Sequence, residues 1–221
     1  MRLIKFLFKL TFYFVLITVT WVGLYGIIPP PITATMIMDE NSLTKDWTVF
    51  EDISPNMIRA VIAAEDSKFC SHDGFDRNAI EQAMKRNAQG GRIRGGSTIS
   101  QQVAKNAFLW QGGGYFRKSL EAYFTFLIET LWSKKRIMEV YLNIAETGIG
   151  TYGVQSGAQR YFQKDAKDLS RMEAARIAAA LPLPKKRAVT GVVGFTRRYG
   201  NTIAARINVV KRDNLDACVY K

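Results

Sequence analysis

Residues 10–28, LTFYFVLITVTWVGLYGII, carry no charged side chain. A run this apolar can satisfy its own backbone only as a helix, and about twenty such residues cross a bilayer. Arg2, Lys5 and Lys9 stand on its N-terminal flank alone, and the next charge of either sign is Asp39. This asymmetry predicts a cytoplasmic N-terminus (residues 1–9), one transmembrane helix (10–28) and the bulk of the chain on the outer side. Trp21 and Tyr25 are placed to lie toward the outer interface. A cleaved signal peptide would have a shorter apolar region and a small-residue cleavage site. The run ends instead in Pro29-Pro30-Pro31, which predicts a retained anchor.

What remains is long enough for one sizeable domain. Of the net charge of +12, three units belong to the flank of the anchor and +9 stays with the rest. An exported domain rarely meets nucleic acid, so that charge points to anionic headgroups or to a substrate carrying phosphates. The two cysteines, Cys70 and Cys218, can pair in an oxidising compartment or remain as thiols, and both readings stay open. No ligand cluster for zinc is present.

Residues 29–44 read as a tether, irregular in character as far as residue 53. Beyond it helical periodicity dominates, predicting helices near 55–65, 76–88, 97–109, 116–131, 134–143, 152–162 and 171–181. Ser54-Pro55 reads as an N-cap followed by proline in the first turn. Ser170-Arg-Met-Glu173 is a capping-box pattern, closed downstream by Pro182 and Pro184. Glycine clusters at 90–96 and 112–114 mark loops, and strand-like alternation is scarce. The expectation is a mainly α domain over 45–190, followed by a basic segment, 191–221, without an assigned structure.

Several polar residues sit where structural economy does not put them. The helix after Ser54 is apolar at Ile58, Val61 and Ile62, and its next core-facing position is Glu65. A carboxylate ending an apolar stripe is partly desolvated, which raises its pKa toward the range useful to a general acid or base. A Glu paired with a basic residue at a helix end is the ordinary alternative. In GGSTISQQVAKN (95–106), Thr98, Gln102 and Lys105 share one helix face and offer a hydroxyl, an amide and an ammonium in line. A solvated face with an N-cap would look the same. Arg117 and Glu121 are i, i+4 neighbours. They form either a surface salt bridge or a second carboxylate held ionised among cations, complementary to Glu65. SKKRIMEVYLN (133–143) places Glu139 and Asn143 at i, i+4 beside the apolar Ile137 and Val140. NIAETGIGTYG (143–153) is a glycine-punctuated turn of the kind that borders a cleft. The aromatic 107–116 segment is read as core packing or, given the anchor, as a second membrane contact. His72 is a poor metal candidate and is expected to organise its loop by hydrogen bonding.

Taken together, EDSKFCSHDG, GGSTISQQVAKN, RKSLE, SKKRIMEVYLN and RMEAARIAAALPLP resemble the peptidoglycan glycosyltransferase family, in its single-anchor form without a transpeptidase domain. Ser42-Leu-Thr-Lys45 matches S-x-x-K, but no S-D-N or K-T-G partner follows, and it is read as chance. The resemblance implies a lysozyme-like, mainly α fold with a larger lobe and a smaller membrane-proximal lobe. It implies a lipid II substrate, polymerised with inversion into β-1,4-linked glycan with release of undecaprenyl pyrophosphate. Glu65 is then the general base, with Asp66, Phe69 and His72 shaping its wall, and Glu121 is the second catalytic carboxylate. Ser97, Thr98, Gln102, Lys105, Asn106, Arg117, Lys118, Glu139 and Asn143 become substrate-binding residues. The resemblance allows a divalent cation, Mg or Mn, reached by Glu121 through the pyrophosphate, and calls for no organic cofactor. It places the protein in the bacterial inner membrane with its catalytic domain outside the cytoplasm, in contact with lipid II, the growing glycan and other cell-wall synthesis proteins.

Two residues depart from the pattern. Gly113 stands where relatives often have an arginine four positions before the Arg-Lys pair, so that a pyrophosphate contact is either missing or supplied by Arg92 or Arg94. Cys70 stands where proline is common. A lysozyme-type lytic enzyme and a non-enzymatic cell-wall scaffold are the competing readings. The Thr98–Lys105 face and the Arg117–Lys118 pair argue against the first, because glycan cleavage offers no pyrophosphate to bind. Retention of both Glu65 and Glu121 argues against the second.

Overall fold

A computed structural model describes residues 1–88, 96–191 and 193–220 of the chain. Ten α-helices among these residues carry the architecture. They are α1 (Arg2–Ile27), α2 (Ala34–Ile37), α3 (Pro55–Glu65), α4 (Arg77–Ala88), α5 (Ile99–Phe108), α6 (Gly114–Leu131), α7 (Lys134–Ile144), α8 (Val154–Phe162), α9 (Arg171–Ala180) and α10 (Gly194–Arg212). The only described sheet has three very short strands: β1 (Thr44–Lys45), β2 (Glu146–Gly148) and β3 (Thr151–Tyr152). Its order is β1-β3-β2, with β1 parallel and β2 antiparallel to β3. The mainly α, lysozyme-like fold expected from the motifs is the one observed.

The helices start where their caps are. The Ser54 hydroxyl accepts from the Asn56 backbone N–H and Pro55 fills the first turn of α3. The Ser170–Glu173 capping box opens α9, and the Ser133 side chain accepts from Arg136 N at the start of α7. Each cap satisfies a backbone donor that the helix itself leaves unpaired. The core lies between α3, α5, α7 and α9. Met57, Ile58, Val61 and Ile62 of α3 meet Ile99 and Val103 of α5, Ile137 and Val140 of α7, and the alanine face Ala174–Ala175–Ala178–Ala179 of α9 in one buried cluster.

α1 extends through the basic flank to Arg2, and its 26 residues span about 39 Å at 1.5 Å per residue. It is long and apolar enough to cross a membrane, and most of its large apolar side chains are exposed. Its C-terminal half is docked on α6. Thr18 and Tyr123 share a hydroxyl hydrogen bond of 2.7 Å, and Trp132 Nε1 donates to Val22 O at 2.8 Å. The Arg136 guanidinium donates to Tyr25 O and to Ile28 O, closing the end of α1 where carbonyls lack intrahelical partners and the helix dipole favours a cation. Gly26 permits this approach, since a Cβ there would lie 2.9 Å from Trp132 Nε1.

Two boundaries shift. The presumed tether 29–44 is part of the domain: Thr33 caps α2, Thr33 and Met36 are buried, and β1 pairs with β3. A four-residue helix and a two-residue strand are too short to show a periodicity in sequence. The basic segment 191–221 is likewise not an appendage. α10 packs against α9 and α3, burying Ile203, Ile207 and Val210. Beyond it Asp216 receives Arg59 Nε at 2.7 Å, and Cys218 is disulfide-bonded to Cys70. The cysteine question left open by sequence is thus answered by pairing, with Cα atoms 5.4 Å apart.

Candidate active site

Glu65 is the last residue of α3, and burial raises its carboxyl above the ordinary 4.5. The Gln102 amide and the charges of Arg187 and Lys105 pull the other way. Gln102 Nε2 donates to Glu65 Oε2 at 2.8 Å, while Glu65 Oε1 is buried with no hydrogen-bond partner among the described residues. The amide is itself oriented, because the fully buried Tyr141 hydroxyl donates to Gln102 Oε1 at 3.4 Å. One carboxylate oxygen is therefore held and the other is left free to accept a proton.

Across the cleft Glu121 is 2% exposed, on α6. Arg117 Nη1 donates to its Oε2 at 2.6 Å and Lys118 Nζ to its Oε1. Lys118 also reaches Ser97 Oγ at 3.4 Å. Glu65, Glu121, Ser97, Gln102 and Lys105 line one cavity of about 440 Å³, together with Ala64, Gln101 and Pro182. Burial, aided by Arg117 and Lys118, pushes the Lys105 ammonium below its usual 10.5, while Glu121 supports its charge. The pairing of a desolvated carboxylate with one among cations, expected from sequence, is brought together in space.

A second cavity of about 390 Å³ shares Gln102, Lys105 and Pro182 with the first and extends the cleft past Asn106. Its far wall comes from β2 and β3, from the segment after α1 and from the loop after α9: Glu146, Tyr152, Asp39 and Lys185. Asp39 Oδ2 accepts from Tyr152 Oη at 2.7 Å and Oδ1 from Lys185 Nζ at 2.9 Å, which holds the carboxyl far below the usual range. Glu146 Oε1 is buried with no hydrogen-bond partner among the described residues, 3.7 Å from Lys185 Nζ, and burial raises its carboxyl. The glycine-punctuated turn does border the cleft, as its composition suggested.

Other expected ligands are used as scaffold. The Thr98 hydroxyl caps α5 by accepting from Gln101 N and donates to Gly74 O at 2.7 Å, so it is withdrawn from the cleft. Asp66 accepts from Ile99 N at 3.1 Å and from His72 Nε2 at 3.0 Å. His72 Nδ1 accepts from Gly74 N, which assigns the ring proton to Nε2. Phe69 is fully buried, with Lys134 Nζ 4.6 Å from its ring centre. These contacts stitch the 66–74 loop to the start of α5 and fix the neighbour of Glu65. Asn143 is also fully buried and exchanges hydrogen bonds with Thr48 N and O. Glu139 accepts from Phe50 N and Arg136. Both pin the 48–50 segment, and neither lines the two cavities of the cleft. Their spacing on α7 was read rightly, but the partner segment was invisible to it.

The cleft-lining residues that sequence did not single out are Tyr141, Asp39, Glu146 and Lys185. A hydroxyl at i+4 from Ile137 on an apolar stripe was a legible signal for Tyr141, whereas the others come from segments without periodicity. Gly113 has φ +86°, and a Cβ there would lie 2.9 Å from both Trp110 Nε1 and Arg117 Cβ. An arginine at this position would have to rebuild the turn. The proposed substitutes Arg92 and Arg94, and most of the 90–96 glycine cluster, lie outside the described residues. The aromatic segment divides between the two readings offered for it. Phe108 stacks on Phe124 with centroids 4.9 Å apart and meets Trp21, whereas Tyr115 and Phe116 are exposed.

The donor set does not suit a metal held by the protein. Both Glu121 oxygens already receive cationic side chains, and no cluster of three or more potential ligands occurs among the described residues.

A cleft that divides two carboxylates between a desolvated wall and a cationic wall suits glycosyl-transfer chemistry, among other acid–base reactions. Residues 32–210 match the family profile described as Transglycosylase, and the chain belongs to that family. It is 49% identical over 199 residues to a Caulobacter vibrioides protein named biosynthetic peptidoglycan transglycosylase, covering 89% of this chain and 87% of the relative. A Pseudomonas aeruginosa protein of the same name is 48% identical over 195 residues, 83% of each chain. One from Bdellovibrio bacteriovorus is 44% identical over 216 residues, covering 92% of this chain and 86% of the relative. The matched span takes in both the segment after α1 and most of α10.

Proposed function

We propose that the protein is a membrane-anchored peptidoglycan glycosyltransferase that joins lipid II units into β-1,4-linked glycan. The observation that carries this is the free Oε1 of a desolvated Glu65 facing the same cavity as Glu121, Lys105 and Lys118-bound Ser97. Glu65 takes the proton of the acceptor 4-hydroxyl as its oxygen attacks C1 of the donor sugar. The C1–oxygen bond to the pyrophosphate breaks on the opposite face, so the configuration inverts, and undecaprenyl pyrophosphate departs with both bonding electrons.

The leaving group gathers negative charge in the transition state, and cations already in place stabilise it without reorganisation. Arg117, Lys118 and Lys105 supply them, and Glu121 holds the first two in position. No protonated acid is required at the leaving oxygen, in contrast to glycan hydrolysis. The adjoining cavity, with Glu146, Tyr152 and Asn106 on its walls, offers hydrogen-bonding groups to the next sugars. Topology follows from charge: the basic end of α1 in the cytoplasm and the domain outside, at the inner membrane.

The test is to supply the detergent-solubilised protein with lipid II. Expected products are glycan chains and undecaprenyl pyrophosphate, one per bond formed, with β linkages in the proton NMR spectrum. Breakdown of finished peptidoglycan without chain synthesis would refute the polymerase and support a lytic enzyme.

A further inference from the structure

Away from the cleft, a cavity of about 380 Å³ lies where α10 packs on α9, lined by Met172, Arg176, Gly191, Arg197, Gly200 and Asn201. Arg176, half-buried, and Arg197, exposed, thus line one concave space. Among the described residues neither has a carboxylate within salt-bridge distance, and Arg176 Nε is buried with no hydrogen-bond partner. The nearest acid on the same helix, Glu173, is engaged by Lys164 at 2.8 Å and by its own capping box. Arg197 lies in the first turn of α10, whose N-cap Val193 provides no side-chain acceptor, so the positive end of a 19-residue helix adds to the field.

Guanidiniums remain charged at every accessible pH and bind oxyanions through two parallel donors. Two of them sharing a cavity repel each other, and a buried unpaired N–H costs free energy, unless an anion sits between them. We propose that this cavity is an oxyanion-binding site, separate from the reaction centre. Its volume exceeds that of a lone phosphate or carboxylate, so the anion arrives on a larger body, and the Asn201 amide offers a donor and an acceptor to it. Two sources share this chemistry: the terminal carboxylate of a peptide, and the phosphate of a lipid headgroup. α1 packs mainly on α6, whereas α9 and α10, which form the cavity, pack on each other and on α3; the cavity is thus no part of the seam with the apolar helix, and a peptide carboxylate is the source proposed.

The test uses the full chain in detergent and follows Tm during titration with a short acetylated peptide bearing a free C-terminal carboxylate. Its amidated form is the control. The expected result is a saturable rise of several degrees with the free acid only. Arg176→Met and Arg197→Gln each abolish the rise, Arg176→Met raises the ligand-free Tm, and polymerisation of lipid II is unchanged in both. Lys118→Gln keeps the rise, which separates this site from the cationic wall of the cleft. If the peptide has no effect but phosphatidylglycerol vesicles, and not phosphatidylcholine vesicles, stabilise the wild type and not Arg176→Met, the same site takes headgroups. Equal responses of wild type and both arginine variants to all probes would overturn the proposal. The Tm readouts stand whether or not the polymerase reading holds.

Discussion

Glu65 is fitted for its task at the expense of the fold. Its folded pKa is raised, so the native state holds the proton more tightly than the unfolded chain. Its favourable contribution is complete below the unfolded value and is lost as pH rises through the folded value. Glu65→Gln is therefore expected to raise Tm near neutral pH while removing the base, an exchange common at active sites. Activity should fall on the acid side at a pH above that of an ordinary carboxylate. Gln102→Leu removes the hydrogen bond that favours the ionised form and should move that limb further up, as a pH–rate profile would show. Thr98→Ala should behave otherwise. It removes a helix cap and costs about 1 kcal/mol of stability by chemical denaturation, with activity lost only as far as the 66–74 loop loosens. Glu65, Glu121 and Lys105 were legible in sequence because their own helices place them oddly against an apolar or cationic pattern. For Glu139 and Asn143 sequence did not reveal the 48–50 partner segment, because an i, i+4 pair of polar residues looks alike whether it faces a ligand or a distant backbone segment.

At the scale of elements, the seam between α1 and α6 is the feature with most consequence. Trp132, Tyr123 and Arg136 hold the last three turns of the anchor helix, and α6 carries Arg117, Lys118 and Glu121. The anchor therefore braces the cationic wall of the cleft as well as tethering it. Gly26→Val drives a side chain into Trp132 and is expected to lower Tm and weaken polymerisation together; unchanged values for both would remove α1 from the account of the site. Tyr115 and Phe126, which share a face of α6 at eleven residues' separation, remain exposed. A protein lacking residues 1–28 should accordingly still bind liposomes, and Tyr115→Ser with Phe126→Ser should release it. Most helices were readable from their caps and apolar spacing. α10 was overlooked although Ile203, Ile207 and Val210 recur at i, i+4 and i+7, because its many arginines mask the stripe and no side chain caps its start.

Over the whole molecule, sequence gave away the order of the motifs but not the closure of the chain. The C-terminal turn returns to the loop that follows Glu65: Cys218 is joined to Cys70 across 148 residues, four positions beyond Asp66, and Arg59 pairs with Asp216. Neither spacing nor composition reports which distant segments meet, which is why the pairing stayed open. A cross-link over so long a loop restricts the unfolded chain by about 5 kcal/mol in the entropic account. Reduction with a dithiol should lower Tm by about 10–20 °C, and Cys70→Ser should reproduce the shift without further sensitivity to reductant. The same closure brings Tyr199 Oη to Ala64 O at 3.0 Å, so the base is buttressed by the segment that looked least informative.

The most direct test of the central claim is the rate of glycan formation from lipid II by wild type and Glu65→Gln, compared under conditions where both are folded by Tm. The account predicts a loss on the order of 10²–10⁴, with Tm equal or higher. Polymerisation by Glu65→Gln at the wild-type rate would contradict it.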